Sequence, residues 1–186
     1  MNIQLMSKKF GTSDRYKTMN NIKRIFIVGH MGAFKSTLGK ALAEKLGWEY
    51  VEANPGLERY FGRTYREMFG EQGEAAFHQC EAEIISTYIK KENVVVVMEE
   101  AVIVTEQNRK LLSSECVVYL KASTAIQIER MALGQPPVLP IADWKIFLDK
   151  LHAERDIFFE EVATLTIEPT FSVEEDVGSI LKALNY

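Results

Sequence analysis

Gly29, Lys35, Ser36 and Thr37 carry the clearest chemistry in this sequence of 186 residues. They belong to the run Gly29-His30-Met31-Gly32-Ala33-Phe34-Lys35-Ser36-Thr37, which lies between an apolar stretch, Ile25–Val28, and a good helix former, Leu38–Leu46. This is the setting of a phosphate loop. Backbone N–H groups curl around phosphates, the lysine reaches the β and γ oxygens, the hydroxyl after it holds Mg²⁺, and the helix N-terminus adds its dipole. Gly29, Gly32, Ala33, Phe34, Lys35, Ser36 and Thr37 are therefore the candidate nucleotide-binding residues, with Mg²⁺ and ATP as the implied ligands. Phe34 breaks the pattern. The residue before the lysine is normally glycine, which tolerates positive φ and lets the backbone approach a ligand. A bulky residue held there costs about 1–3 kcal/mol, so the sequence predicts weakened nucleotide binding or a reshaped loop.

Two further groups of acids belong near this loop. Glu52-Ala53-Asn54 follows the second β-rich run, and Val94–Met98 leads into Glu99-Glu100. The second resembles a Walker B strand, whose terminal acid holds Mg²⁺ through water. Ser36, Glu52 and Glu99 form the candidate metal set; the competing reading of Glu99 and Glu100 is two acids facing solvent at a strand end.

The elements that must position these residues alternate between strand and helix. Strands are expected at 25–28, 48–51, 94–98, 116–120 and 165–167, and helices at 35–46, 56–61, 64–69, 74–91, 105–113, 123–133, 142–162 and 173–184. Thr64…Glu67 and Ser172…Glu175 have the spacing of capping boxes. The fold class is α/β, a five-stranded parallel sheet between helix layers with its ligand crevice at the C-terminal strand edge. Val94–Met98 does not alternate, so both its faces should be buried.

A hydrophobic content of 47% with 26% charged residues suits a single globular domain and excludes disordered, collagenous and disulfide-stapled classes. No apolar run approaches the roughly 18 residues of a membrane span, and no secretory leader is visible. The expected location is the cytoplasm, with Cys80 and Cys116 as reduced thiols. Net charge is −4. The basic residues Lys8, Lys9, Arg15, Lys17, Lys23 and Arg24 crowd the start of the chain, which leaves the main body acidic and argues against a nucleic-acid partner. Residues 1–21 read as a basic extension and 22–186 as the domain, with a substrate-binding region at about 52–91. The uncharged run Met131–Ile141, with three prolines, reads as a lid of about 131–143 or as an ordinary connection packed on the core. Lid and extension are the candidate surfaces for a protein partner.

The phosphate loop together with Thr64–Glu81 (TYREMFGEQGEAAFHQCE) resembles the shikimate kinase family, and the likeness extends over nearly all of Ile22 to Leu184. The resemblance implies a three-layer P-loop kinase fold, a monomer, and transfer of phosphate from MgATP to the 3-hydroxyl of shikimate in aromatic amino acid biosynthesis. It also implies roles at matching positions. Glu52-Ala53-Asn54 replaces the family's Asp-x-Asp: Glu52 can serve a metal through water, whereas Asn54 has no basic carboxylate and also suits a plain turn. His78 stands where an arginine grips the substrate carboxylate, and Met98-Glu99-Glu100 stands where three glycines lie against the substrate. The lid arginine falls within Pro136–Leu139 and is missing. Arg130 matches the arginine beside adenine and phosphates. Arg155 matches one that contacts the substrate carboxylate, or else it pairs with neighbouring acids.

Lys35, Glu52, Asn54 and Glu99 are thus the candidate catalytic residues, and Asn54, His78, Glu99, Glu100 and Arg155 the candidate substrate-binding ones. Five alterations, among which each lost charge-assisted contact is worth roughly 1.5–3 kcal/mol, predict a degenerate, non-catalytic relative that is regulatory or partner-binding. The alternative is an active ATP-dependent small-molecule kinase, either a divergent shikimate kinase or one with a neutral or cationic hydroxylated acceptor.

Overall fold

The computed structural model describes residues 3–4, 22–53, 73–133 and 142–186. The strands are β1 Ile3–Gln4, β2 Arg24–Val28, β3 Glu49–Glu52, β4 Val94–Val97, β5 Cys116–Leu120 and β6 Leu165–Ile167. Between and after them run α1 Lys35–Leu46, α2 Gly73–Tyr88, α3 Glu106–Leu112, α4 Thr124–Leu133, α5 Trp144–Val162 and α6 Val173–Ala183, with a short 3-10 turn at Glu100–Ile103. The expected five strands form one parallel sheet in the order β6-β5-β2-β4-β3. A two-residue edge strand was not foreseen: Ile3 and Gln4 pair antiparallel with Ile167 and Thr166. The expected helices at 56–61 and 64–69, with the Thr64 capping box, lie outside the described residues.

Strand periodicity sorts the core into two halves. Phe26, Val28, Val94, Val96, Val117 and Tyr119 point to one face, where Phe77, Leu112 and Phe159 from α2, α3 and α5 cover them. Ile25, Ile27, Val95, Val97, Val118 and Leu165 point to the other, beneath Leu38 and Leu42 of α1 and Ile180 of α6. All four residues of β4 are buried, as an unbroken valine run on a sheet covered on both faces requires.

Helix starts follow side-chain chemistry. The Ser172 hydroxyl accepts the Glu175 N–H at 3.3 Å, as its spacing predicted, and Asp143 accepts the Ile146 N–H at 3.0 Å. Helix α1 differs in having Phe34 at its N-cap, a residue with no acceptor to offer. Its first-turn N–H groups lie at the C-terminal edge of β2, where an anion would meet them.

Candidate active site

The loop between β2 and α1 keeps its expected path around the two glycines. Gly29 has φ +148°, and a Cβ there would sit 2.7 Å from the Leu120 carbonyl oxygen. Gly32 has φ +71°, with the Gln127 backbone oxygen 3.2 Å from where a Cβ would be. Phe34 adopts φ 64°, ψ 35°, the left-handed conformation that glycine takes freely and that a bulky side chain disfavours. The strain is therefore carried in the backbone of Phe34 itself. The ring turns outward, 40% exposed, and the Arg130 guanidinium lies 4.6 Å from its centre. That contact, worth about 0.5–1 kcal/mol at a partly exposed site, offsets part of the strain.

Lys35 Nζ donates to the carbonyls of Gly29 (2.9 Å) and His30 (3.1 Å), so the ammonium is held under its own loop. Burial pulls it below the ordinary lysine value, against the opposing attraction of Glu99, Glu100 and Glu52. Lys35 thus faces three carboxylates, one of which, Glu100, also pairs with Arg155. Ser36 Oγ donates to Glu52 Oε1, and the Tyr50 hydroxyl donates to Glu52 Oε2 at 3.0 Å. Burial, with help from Glu52, pushes the Tyr50 phenol up to about 12, so it remains a donor. A serine hydroxyl and a carboxylate already side by side are hard oxygen ligands of the kind Mg²⁺ takes. They fit the metal.

Arg130 anchors the other side of the loop. It donates to the Ala33 carbonyl at 3.0 Å and to the Thr170 carbonyl. With Ala33, Phe34, Leu133, Phe171 and Asp176 it lines a cavity of about 200 Å³ beside the start of α1. This is an apolar, aromatic recess next to phosphate-binding backbone.

On the acceptor side, the expected residues fall into different environments. Arg155 Nη1 donates to Glu100 Oε1 at 2.7 Å, and Glu100 Oε2 accepts the Met31 N–H of the loop at 2.9 Å. Arg155 therefore pairs with an acid, as one of its two readings held. Glu99 precedes the 3-10 turn at the end of β4. His78 Nδ1 lies 2.8 Å from Glu81 Oε2, which also accepts from Asn108 Nδ2 at 3.1 Å. Asn54 and the segment 134–141 lie outside the described residues.

Burial raises the Glu81 carboxyl to about 7, against the hydrogen bond from His78. Between its ordinary value and about 7 the folded chain keeps a proton that the unfolded chain releases, so stability falls as pH rises through this window. Glu81→Gln is therefore expected to be more stable than the native chain at pH 8, by about 1–2 kcal/mol, with the gain fading toward pH 5. Thermal melts at both pH values check this.

Sequence reasoning missed a group directly behind the loop: His30, Tyr119, Gln127, His152 and Asp156. A histidine inside the phosphate loop and the His152…Asp156 spacing on one face of α5 were the available signals.

A parallel sheet with β2 central, a phosphate loop at its C-terminal edge and a lysine, hydroxyl and carboxylate gathered there define a P-loop kinase. The chain belongs to the shikimate kinase family, whose model, described as "Shikimate kinase", matches residues 31–185. The shikimate kinase of Legionella pneumophila strain Corby is 32% identical over 166 residues, covering 88% of this chain and 95% of that protein. That of Halorhodospira halophila is 37% identical over 149 residues, covering 79% and 84%. A solved shikimate kinase from Acinetobacter baumannii, in complex with shikimate, matches with TM-score 0.79 and 29% identity over 91% of this chain and 96% of that one. No helix among the described residues is long and apolar enough to cross a membrane.

Proposed function

We propose that the chain is an active, ATP-dependent small-molecule kinase that phosphorylates a hydroxylated acceptor. The observation that supports this most is the conformation at Phe34, because a spoiled phosphate loop is the one of the five alterations that would remove the nucleotide itself. The loop accommodates the side chain with its left-handed turn intact, and Lys35, Ser36 and Glu52 stand together behind it. Family membership favours the same reading.

In this mechanism the loop N–H groups and the uncapped start of α1 hold the phosphates, and the base enters the recess lined by Phe34, Arg130 and Phe171. Ser36 and Glu52, with Glu99 through water, would hold Mg²⁺, which supplies charge neutralisation on the phosphoryl oxygens. Lys35 releases the Gly29 and His30 carbonyls to reach the β and γ oxygens. Phosphoryl transfer passes through a loose transition state, so positioning and electrostatics carry more of the rate than a strong base. An asparagine at position 54 is then compatible with turnover, with Glu99 taking the acceptor's proton.

Shikimate is the first acceptor to test. A neutral or cationic polyol is the second, favoured by the Glu100–Arg155 pair, which neutralises the arginine that would otherwise attract a carboxylate. Calorimetric titration with MgADP and MgATP, followed by ADP-release assays over both acceptor classes, tests the proposal. Micromolar binding with turnover is expected; absence of both returns the chain to the non-catalytic reading. Phe34→Gly is expected to change MgADP affinity by less than about tenfold, because relief of strain and loss of the Arg130 contact oppose each other. Titrating the variant beside the native chain checks this.

A further inference from the structure

We propose that His30, His152 and Asp156 form a binding site for a borderline transition-metal dication, Zn²⁺ foremost, clasping the back of the phosphate loop to α5. The ligand atoms converge: His30 Nε2 lies 2.8 Å and His152 Nδ1 3.0 Å from Asp156 Oδ1. All three atoms fall within 4.8 Å of one another. His152 and Asp156 present themselves one helical turn apart on α5, a spacing that puts two ligands on one face.

The polarity of the surrounding hydrogen bonds points the lone pairs inward. Gln127 Nε2 donates to the Met31 carbonyl at 2.6 Å, which leaves Gln127 Oε1 facing His152 Nε2 at 2.7 Å. His152 Nε2 must then carry the hydrogen, so a neutral His152 aims the bare Nδ1 at a carboxylate. Two acceptors 3.0 Å apart require a cation between them. Among the described residues His30 Nδ1 is buried without a hydrogen-bond partner, so in the metal-free chain the ring hydrogen sits on Nε2 and is donated to Asp156, and a metal would take its place as the proton moves to Nδ1 or leaves.

Two of the three ligands have the outer contacts of a metal centre. Each ligand set of this kind needs partners that hold tautomer and orientation. Gln127 does so for His152, and the Tyr119 hydroxyl donates to Asp156 Oδ1 at 2.9 Å. Two imidazoles and a carboxylate suit Zn²⁺, Co²⁺ or Ni²⁺ and not Mg²⁺, and three protein ligands leave a fourth position for water. His30 is 1% exposed, but His152 and Asp156 are 17% and 24% exposed, so an ion has a way in from the α5 side.

A proton on His152 Nδ1 is the competing occupant, and the experiment separates the two. Full-length protein freed of metal is titrated with Zn²⁺ by calorimetry at pH 7.5. One ion per chain is expected, at about 10 μM or tighter. Affinity should fall at least about tenfold in His152→Gln and in Asp156→Asn. Weaker binding by the native chain, or equal binding by the variants, overturns the proposal. A second readout needs no variant: long-range ¹H–¹⁵N spectra report all three histidines of the chain. Zn²⁺ should move the His30 Nε2 and His152 Nδ1 signals and leave His78 in place; movement of His78 instead, or of none, overturns the proposal as well.

Discussion

Lys35→Met is expected to lower ATP-dependent turnover by about a thousandfold while leaving the fold at least as stable as the native one at pH 7. The catalytic loss follows from what the loop offers. Backbone N–H groups are dipoles; in the proposed mechanism Lys35 is the cation the loop itself brings to the γ-phosphate, and no arginine matches the family's lid position. The stability half follows from burial. Lys35 sits below the ordinary lysine value because desolvation outweighs the attraction of Glu99, Glu100 and Glu52. The unfolded chain therefore binds the proton more readily, and native stability rises with pH through the window between the lowered value and the ordinary one. Met fills similar space without that penalty, although the Gly29 and His30 carbonyls lose a donor. Steady-state ADP release and thermal melts at pH 7 and pH 10 measure both halves. Turnover within tenfold of native would place the chemistry elsewhere; a native chain that gains no stability over the variant toward pH 10 would contradict the burial argument.

The sheet was legible because its strands leave little choice. Val94–Val97 admits neither a helical stripe nor a half-exposed strand, and Ile25–Val28 runs straight into a glycine that no side chain could replace under the Leu120 carbonyl. Helix starts were legible where a side chain states them, as at Ser172. The Ile3–Gln4 strand was not, since two residues carry no periodicity and their pairing is decided by the open edge of β6. Within the site, Lys35 and Ser36 were fixed by spacing alone. Phe34 was legible as strained, but local sequence shows only the cost of a left-handed phenylalanine and not the Arg130 guanidinium that lies over its ring and ties down the Ala33 carbonyl. The cluster of His30, Gln127, His152 and Asp156 was missed for the same reason. Its members come from three separate elements, and only their hydrogen-bond directions reveal a common focus.

Glu100→Gln is expected to lower the KM for shikimate, or for any carboxylate-bearing acceptor, by about 10–100-fold, while the KM for a neutral acceptor stays within about threefold. The native carboxylate acts twice. Through Oε1 it neutralises Arg155, and through Oε2 it occupies the Met31 N–H of the phosphate loop. An anionic acceptor must displace it from the arginine and also approach Glu99 and Glu52. Gln keeps the length and shape, can still accept from Arg155 or from Met31, and removes one negative charge. A charge-assisted contact worth about 1.5–3 kcal/mol then becomes available to the acceptor. The double variant Glu100→Gln, Arg155→Ala should lose the whole gain, because without the guanidinium there is no cation to release. That cycle distinguishes the specific pair from a general fall in negative potential, which would lower KM in both backgrounds alike. If carboxylate KM is unchanged in the single variant, Glu100 does not set the acceptor's charge, and selectivity must rest on residues beyond the Arg155 side of the crevice.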